Sequence, residues 1–291
     1  MTRWPLRSAA ALLLALAGKA QAIDLAALWD FRDPALSEAR FRSALQTAGA
    51  DDALILQTQI ARSHGLRRDF DKARELLSAL QPALATAGFE ARARHALEWG
   101  RSLASATHAP ASQTEASRAA ARSAYLQALQ IARAGQLDGL AVDAIHMLAF
   151  VDTAPADQLR WAQAALDVVL ASNQPAAQRW EASIRNNLGL ALHDLGRHGE
   201  ALVQLEQALA LREQGTNALA SRIARWMVAR TLRLLGRFDD ALALQQRLER
   251  ESAAAGAPDP HVFAELELLH RSRGDVARAD QYAALRQGAA R

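Results

Sequence analysis

Histidine provides the residue spacing in this sequence that comes nearest to a chemical site. His193 and His198 lie five residues apart, and two imidazole rings at that spacing can ligate a metal ion only when further ligands join them. No further ligand stands at helical spacing beside them, and the remaining histidines are scattered. The chain has no cysteine, which excludes a thiolate nucleophile, a disulfide framework and a cysteine zinc site. The sequence therefore predicts no metal site.

Motifs for phosphate or covalent chemistry are missing as well. A phosphate-binding loop needs a lysine after closely spaced glycines, and neither Lys19 nor Lys72 follows such glycines. The chain has no Gly-x-Gly-x-x-Gly motif, no His-Glu-x-x-His motif and no Gly-x-Ser-x-Gly nucleophile turn. Catalytic groups distant in the sequence could still converge in the fold. On the residues alone we expect a protein with no enzymatic activity and no cofactor.

The excess positive charge is concentrated at the start of the chain. The 291 residues include 34 basic and 31 acidic ones, which gives a formal charge of +3. Arg3, Arg7 and Lys19 lie within residues 1–22, which contain no acid, so the rest of the chain has 31 basic and 31 acidic residues. A formally neutral body lacks the broad positive field that attracts phosphate backbones. We therefore expect no nucleic-acid partner.

Residues 1–22 have the order of a secretory signal peptide. Arg3 and Arg7 form a positive start, Ala9–Ala17 is an apolar run, and Ala20–Ala22 is a small-x-small cleavage signal. The alternative is an ordinary amphipathic first helix. We predict cleavage after Ala22 and export to the periplasm or the exterior, in a bacterium whose alanine- and arginine-rich composition is typical of a GC-rich genome. No later segment has an apolar run long enough to span a bilayer, so we expect no membrane segment in the mature chain.

The composition predicts an almost entirely helical body. Alanine, leucine, arginine, glutamine and glutamate are abundant, and all are good helix formers. The 291 residues include only 15 glycines and 8 prolines, and aromatic residues make up 5%. Sheet-rich chains need more β-branched and aromatic residues. We therefore expect an all-α fold.

A helical-hairpin unit recurs along the chain. In each unit an apolar first helix ends at a glycine, and a second helix then begins with a small alanine. The turn glycines lie 40 and 38 residues apart, and the alanines keep the same spacing. These residues are Gly196, Gly236 and Gly274, with Ala201, Ala241 and Ala279. A repeat of this length predicts a stack of helix pairs rather than a single compact core.

This pattern resembles the tetratricopeptide repeat family. Residues 182–215 match the family pattern best, with the Leu188–Gly189 pair in the first helix and Ala201 in the second. His198 stands where the family has an aromatic residue, and we expect its ring to pack in the same place. The units of about 40 residues exceed the usual length of about 34 and look like long-loop variants. The resemblance implies an all-α, right-handed superhelix of helical hairpins.

The repeats divide the chain into three parts. Residues 1–22 are the predicted signal peptide, residues 23–52 are predicted capping helices, and residues 53–291 are predicted to form about six units. Within the capping part, Asp33 is a candidate N-cap for a helix that Pro34 opens and that runs to about Ala48. In the first unit Arg68 takes the place of the turn glycine. A polar loop over residues 107–116 interrupts the second unit.

The resemblance also implies where a ligand would bind, because in this family the first helix of each pair lines a concave groove. Side-chain amides in the groove could bond an extended peptide backbone, arginines could bind carboxylates, and a tryptophan could serve as an anchor. The lysine-rich carboxylate clamp known in this family is not reproduced here. The candidates are Asn186, Asn187, Arg230, Arg233, Trp226, Arg62, Arg101 and His193, with Asp143 and Met147 beside them.

The sequence thus predicts an exported, non-catalytic scaffold or adaptor that binds a protein or peptide in its concave groove. One alternative is a cytoplasmic regulatory scaffold with an uncleaved N-terminus. A second is an envelope-associated enzyme whose site assembles in the groove. A third is self-assembly through a terminal repeat. The identity of the partner and the oligomeric state stay open at this point.

Overall fold

The structure is a computed structural model that describes residues 23–289. The predicted signal peptide, residues 1–22, lies outside the described residues. Between residues 23 and 289 the chain forms helices and turns and contains no strand, which confirms the all-α prediction. No helix in that range is both long and apolar enough to cross a membrane.

The helices are numbered here in chain order. They are α1 (Leu25–Leu28), α2 (Pro34–Leu45), α3 (Ala50–Leu66), α4 (Phe70–Leu80), α5 (Phe89–Leu103), α6 (Glu115–Ala134), α7 (Asp138–Val151), α8 (Pro155–Ala171), α9 (Pro175–Gln178), α10 (Glu181–Asp194), α11 (His198–Glu213), α12 (Ala218–Leu234), α13 (Phe238–Ala254), α14 (Pro260–Ser272) and α15 (Val276–Ala289). Short 3₁₀ turns follow α4 and precede α6.

The described helices form a linear stack of pairs. The pairs are α3/α4, α5/α6, α7/α8, α10/α11, α12/α13 and α14/α15, with the short α9 inserted between the third and fourth. Each helix packs against its neighbours in the chain, and α3 also packs directly on α5. A continuous apolar core runs from α5 to α14. Such a stack buries the apolar face of each pair against the next pair.

The turns inside the pairs use a left-handed backbone. Gly196, Gly236 and Gly274 have φ of 73°, 75° and 78°, a conformation that glycine adopts without steric cost. In the first pair the same role falls to Arg68, which has φ of 65°. A side-chain-bearing residue pays about 1–2 kcal/mol for this conformation. The substitution noted in the sequence therefore leaves the turn geometry unchanged and adds local strain.

A close contact fixes α5 against α6. Gly100 faces the ring of Tyr125, and a Cβ at residue 100 would overlap that ring. Tyr125 is fully buried, and its hydroxyl donates a hydrogen bond of 2.7 Å to the carbonyl oxygen of Ala104. Burial raises the pKa of the Tyr125 hydroxyl well above its usual range. This contact holds the C-terminal end of α5, which carries polar residues of the candidate site.

The N-terminal helices pack on the first pair. The Asp33 side chain accepts a hydrogen bond of 2.9 Å from the Leu36 backbone N–H, and Pro34 opens α2, which confirms the predicted cap. Helix α2 ends at Leu45 rather than near Ala48, and α3 already begins at Ala50. At the other terminus, α15 extends past Leu285, where the repeat pattern stops, to Ala289.

Candidate functional site

The first helices of four successive helix pairs share one cavity. Residues of α3, α5, α7 and α10 line a space of about 410 Å³, and α8 contributes to its base. The surface that these first helices form, continued by α12 and α14, is called the groove below. Large apolar side chains supply much of the cavity wall. They include Leu66, Met147, Phe150, Trp161, Trp180 and Leu190.

A chain of paired charges crosses the cavity wall. An Arg62 Nη1 atom on α3 lies 3.3 Å from Oε1 of Glu98 on α5. Arg101, one turn further along α5, donates to the same Glu98 oxygen at 2.6 Å and also to the Asp143 carboxylate on α7. All four side chains line the cavity. The ion pairs therefore join three consecutive first helices.

The polar chain continues from α7 to α10 without charge. The side-chain nitrogen of Asn187 lies 3.1 Å from Nδ1 of His146. His146 stands one turn after Asp143 on α7. Burial lowers the pKa of the His146 ring, and the nearby Arg101 lowers it further. A neutral His146 can accept the amide proton of Asn187, so the contact is a hydrogen bond between neutral groups.

The charges on this wall do not balance equally. Burial alone would raise the pKa of the Asp143 carboxyl, but Arg101 and Arg62 outweigh it and hold the pKa below its usual range. Asp143 and Glu98 raise the pKa of Arg101 against the effect of burial. The pKa of Arg62 is lowered instead, by burial and by repulsion from Arg101. Arg62 is thus the cation whose charge its neighbours compensate least.

Aromatic rings of the N-terminal segment hold Arg62 at the mouth of the cavity. Its guanidinium carbon lies 5.6 Å from the ring centres of both Trp29 and Phe31. These two rings are stacked on each other with centres 4.7 Å apart. The Trp29 indole N–H donates a hydrogen bond of 3.1 Å to Oε1 of Gln59 on α3. The N-terminal segment thus positions a residue of the groove.

The loop between α5 and α6 forms a fixed part of the cavity wall. Ser105 and Thr107 line the cavity. His108 accepts a hydrogen bond at Nδ1 from the Ser105 backbone N–H at 3.2 Å and, with Nε2, donates to the carbonyl oxygen of Ser102 at 3.2 Å. Burial lowers the pKa of His108, which favours the neutral ring that this arrangement needs. Phe70 stacks on the same ring.

The groove differs in its C-terminal part, where α12 faces α14. Arg233 donates to both carboxylate oxygens of Glu265, at 2.7 and 3.2 Å. Arg230 lies over the ring of Trp226 at 5.6 Å and forms no ion pair with any residue between 23 and 289. His193 on α10 is buried, and its pKa is lowered by burial and by the charge of Arg230.

A second cleft opens beside this part of the groove. It has a volume of about 430 Å³ and lies between α12, the end of α13 and the start of α14. Leu219 and Ile223 on its α12 side are 59% and 53% exposed. The Trp226 indole N–H donates to the carbonyl oxygen of His261 at 3.3 Å. Trp226 therefore borders both the groove and the cleft.

Residues 180–250, which span α10 to α13, match the family model described as tetratricopeptide repeat. This chain is a tetratricopeptide-repeat protein. Its helix pairs form the superhelix that the family name implies, and proteins of this fold serve protein interaction. A search of the curated proteins gave no match.

Solved structures share the fold of this tetratricopeptide-repeat protein at low sequence identity. One is a signal transduction ATPase with a tetratricopeptide repeat sensor from Pyrococcus horikoshii, with a TM-score of 0.67 and 12% identity over 87% of this chain, which spans 38% of that protein. BtubC from P. vanneervenii has a TM-score of 0.59 and 18% identity, covering 82% of this chain and 94% of its own. The quorum sensor NprR from B. thuringiensis has a TM-score of 0.55 and 12% identity, covering 89% and 83%. These similarities show the fold alone.

The tetratricopeptide groove brings only some of the sequence-derived candidates together. Arg62, Arg101, Asn187, Asp143 and Met147 line the cavity. The others lie outside it. Those residues are Asn186 and His193 on α10 and Trp226, Arg230 and Arg233 on α12.

Sequence reasoning missed two polar members of the cavity wall, Glu98 and His146. Each stands three residues from a candidate that was found, Glu98 before Arg101 and His146 after Asp143. Residues at that spacing share one face of a helix, so the signal was present. The two histidines singled out first, His193 and His198, meet edge to face with ring centres 5.0 Å apart. Within residues 23–289 no group of three or more possible metal ligands is found.

Proposed function

We propose that this protein is an exported, non-catalytic scaffold that binds a protein or peptide in the groove. The observation that carries the proposal is the cavity shared by α3, α5, α7 and α10, because its wall combines large apolar side chains with a chain of polar groups. A cavity of this kind accepts an apolar anchor side chain, and buried anchors supply much of the affinity of an interface. Nothing in the fold requires four first helices to leave such a space unfilled.

Polar groups beside the cavity suit the backbone and acidic groups of a bound chain. An extended peptide presents unpaired N–H and C=O groups, and Asn187 has an amide side chain at the cavity edge. Arg230 follows along the groove with no ion-pair partner among residues 23–289. A guanidinium without a partner is free to form a two-pronged contact with a carboxylate. The bound segment thus carries an apolar anchor and an acidic residue toward α12.

The test is in-cell crosslinking of the protein followed by identification of the captured partners. Asn187→Ala combined with Arg230→Ala removes polar contacts, and Ala149→Trp fills the cavity, which Ala149 lines. Ala243→Trp on the exposed side of α13 is the matched control. We expect both groove variants to lose partners that the wild type and the control retain. Capture of the same partners by all four proteins would overturn the groove assignment.

Export is a separate part of the proposal, supported by the pattern of residues 1–22. Mass spectrometry of the N-terminus of the protein from its native cells tests it. We expect a chain that begins at Ile23. An intact Met1 would overturn the export proposal and favour the cytoplasmic scaffold.

A further inference from the structure

Arg62 is the cavity residue whose charge is available to a ligand. Its side chain is 24% exposed, compared with 14% for Arg101, 11% for Asp143 and 4% for Glu98. Arg101 contacts two carboxylates, whereas Arg62 shares a single oxygen of Glu98, and Arg101 lies closer to that oxygen. The Arg62 Nε atom is buried and has no hydrogen-bond partner. One carboxylate oxygen thus serves two guanidiniums, and Arg62 is the less well served.

The accessible charge of the cavity is therefore positive. Both acidic groups on the wall are turned toward Arg101 and are nearly inaccessible. Burial and the charge of Arg101 lower the pKa of Arg62, so an added anion would stabilise its charged form. The Trp29 and Phe31 rings hold the guanidinium in place, which reduces the entropy lost when a ligand binds. An ammonium group would meet Arg62 and would be repelled.

The body of the cavity selects an apolar group. Met147, Phe150, Trp180 and Leu190 line the space next to the polar wall. Its volume of about 410 Å³ lies in the range of about 300–1,000 Å³ that is usual for small-molecule sites. The hydrogen-bonded loop at Ser105 closes part of its wall. These features describe a bounded pocket with one anionic subsite.

We propose that this cavity binds a small amphipathic carboxylate, with its apolar body among Met147, Phe150 and Trp180 and its carboxylate on Arg62. The inference rests on the groove being the binding surface of the protein, and it names a ligand class for that surface. The carboxylate supplies the second anion that Arg62 lacks, since Glu98 is shared with Arg101. The ligand occupies the N-terminal part of the groove and leaves Arg230 and Trp226 accessible.

Isothermal titration calorimetry with three probes of equal chain length tests the head-group preference. The probes are decanoate, decanol and decylammonium, each added to the purified protein below its micelle concentration. We expect decanoate to bind at least tenfold more tightly than decanol, and decylammonium to bind most weakly. Equal binding of the three probes, or no binding of decanoate, overturns the proposal.

Variants then separate the anionic subsite from the apolar body. Arg62→Gln lowers the affinity for decanoate to that for decanol and leaves decanol binding unchanged, while Arg62→Lys restores part of the preference. Ala149→Trp abolishes binding of both probes. Arg230→Gln, in the same groove but outside the cavity, is the matched control and changes neither affinity. Full preference for decanoate in folded Arg62→Gln, checked by circular dichroism, overturns the assignment.

The outcome is independent of the partner-capture experiment. Partner capture that depends on the groove, together with indifference to decanoate, would remove only the carboxylate inference. Decanoate binding that depends on Arg62, together with partners that ignore every groove substitution, would remove the proposed scaffold function instead.

Discussion

The N-terminal and C-terminal parts of the groove have the same helix-pair architecture but different chemistry. Between α3 and α10, inward polar side chains are paired from helix to helix and border a cavity. Between α12 and α14 there is one such pair, Arg233 with Glu265, while Arg230 has no ion pair among residues 23–289. The backbone repeat thus fixes where side chains point, and the residues at those positions decide whether a section of the groove is closed or open.

The exposed apolar side chains of α12 illustrate the same point. Ile223 and Trp226 stand 40 residues after Ser183 and Asn186, as the two turn glycines of these units do. The earlier unit therefore has polar residues where α12 presents apolar ones to the second cleft. The repeat itself does not require apolar residues there. Three substitutions below test how deep the difference between the two parts goes.

The largest expected effect is that of Arg101→Ala. It leaves two buried carboxylates, Glu98 and Asp143, close together, and breaking a buried ion pair typically costs about 3–5 kcal/mol. The matched variant Arg233→Ala leaves one carboxylate, Glu265, without its partner, and we expect a cost of about 1–3 kcal/mol. Urea denaturation at pH 7 measures both. Equal losses would show that the network in the N-terminal part adds nothing beyond a single pair.

The same pair of variants has a defined pH dependence. In the wild type the pKa of Asp143 is lowered, so its contribution is present above the unfolded value of about 3.9 and is lost as the pH falls through the lower folded value. The difference between wild type and Arg101→Ala should therefore shrink as the pH falls below about 4.

The turns offer an intermediate effect of opposite sign in the two parts. Arg68 adopts φ of 65°, so Arg68→Gly relieves steric strain, and we expect a gain of about 0.5–1 kcal/mol after the added entropy of the unfolded chain. Gly236, with φ of 75°, is the reverse case. Gly236→Arg should cost about 1–2 kcal/mol. Thermal denaturation of the two variants, with melting temperatures moving the same way, would contradict this account.

The smallest effect expected is from mild acidification of the N-terminal part. His95 is buried, its Nε2 lies 2.9 Å from the Leu77 carbonyl oxygen, and burial lowers its pKa. As the pH falls through the unfolded value of about 6.5, the unfolded chain takes up the proton first, so stability falls by at most about 1.4 kcal/mol per pH unit. His95→Gln keeps a donor for Leu77 and should flatten the slope. Urea denaturation from pH 7.5 to 5.5 with identical slopes in both proteins would count against burial as the cause.

Local rules predicted several parts of the fold from the sequence. The turn glycines, the cap at Asp33 and the helical character follow from steric and hydrogen-bonding preferences within a few residues. Helix ends were less accurate, as at Leu45 and Ala289, because packing against neighbouring helices extends or shortens the last turn. The site was predictable only as a set of inward positions. Which of them meet depends on contacts between residues about 40 positions apart.

The sequence by itself determined the repeat, the helix pairs and the inward direction of residues such as Arg62, Arg101 and Arg230. Tertiary structure decided which of these arginines have partners. Arg101 became part of a buried network because α5 brings it within reach of Asp143 on α7. Arg230 has Trp226 beneath it and no acid within ion-pair distance among residues 23–289. Ion pairs form over a few ångströms, a distance that the folded stack sets and that the order of residues along the chain does not contain.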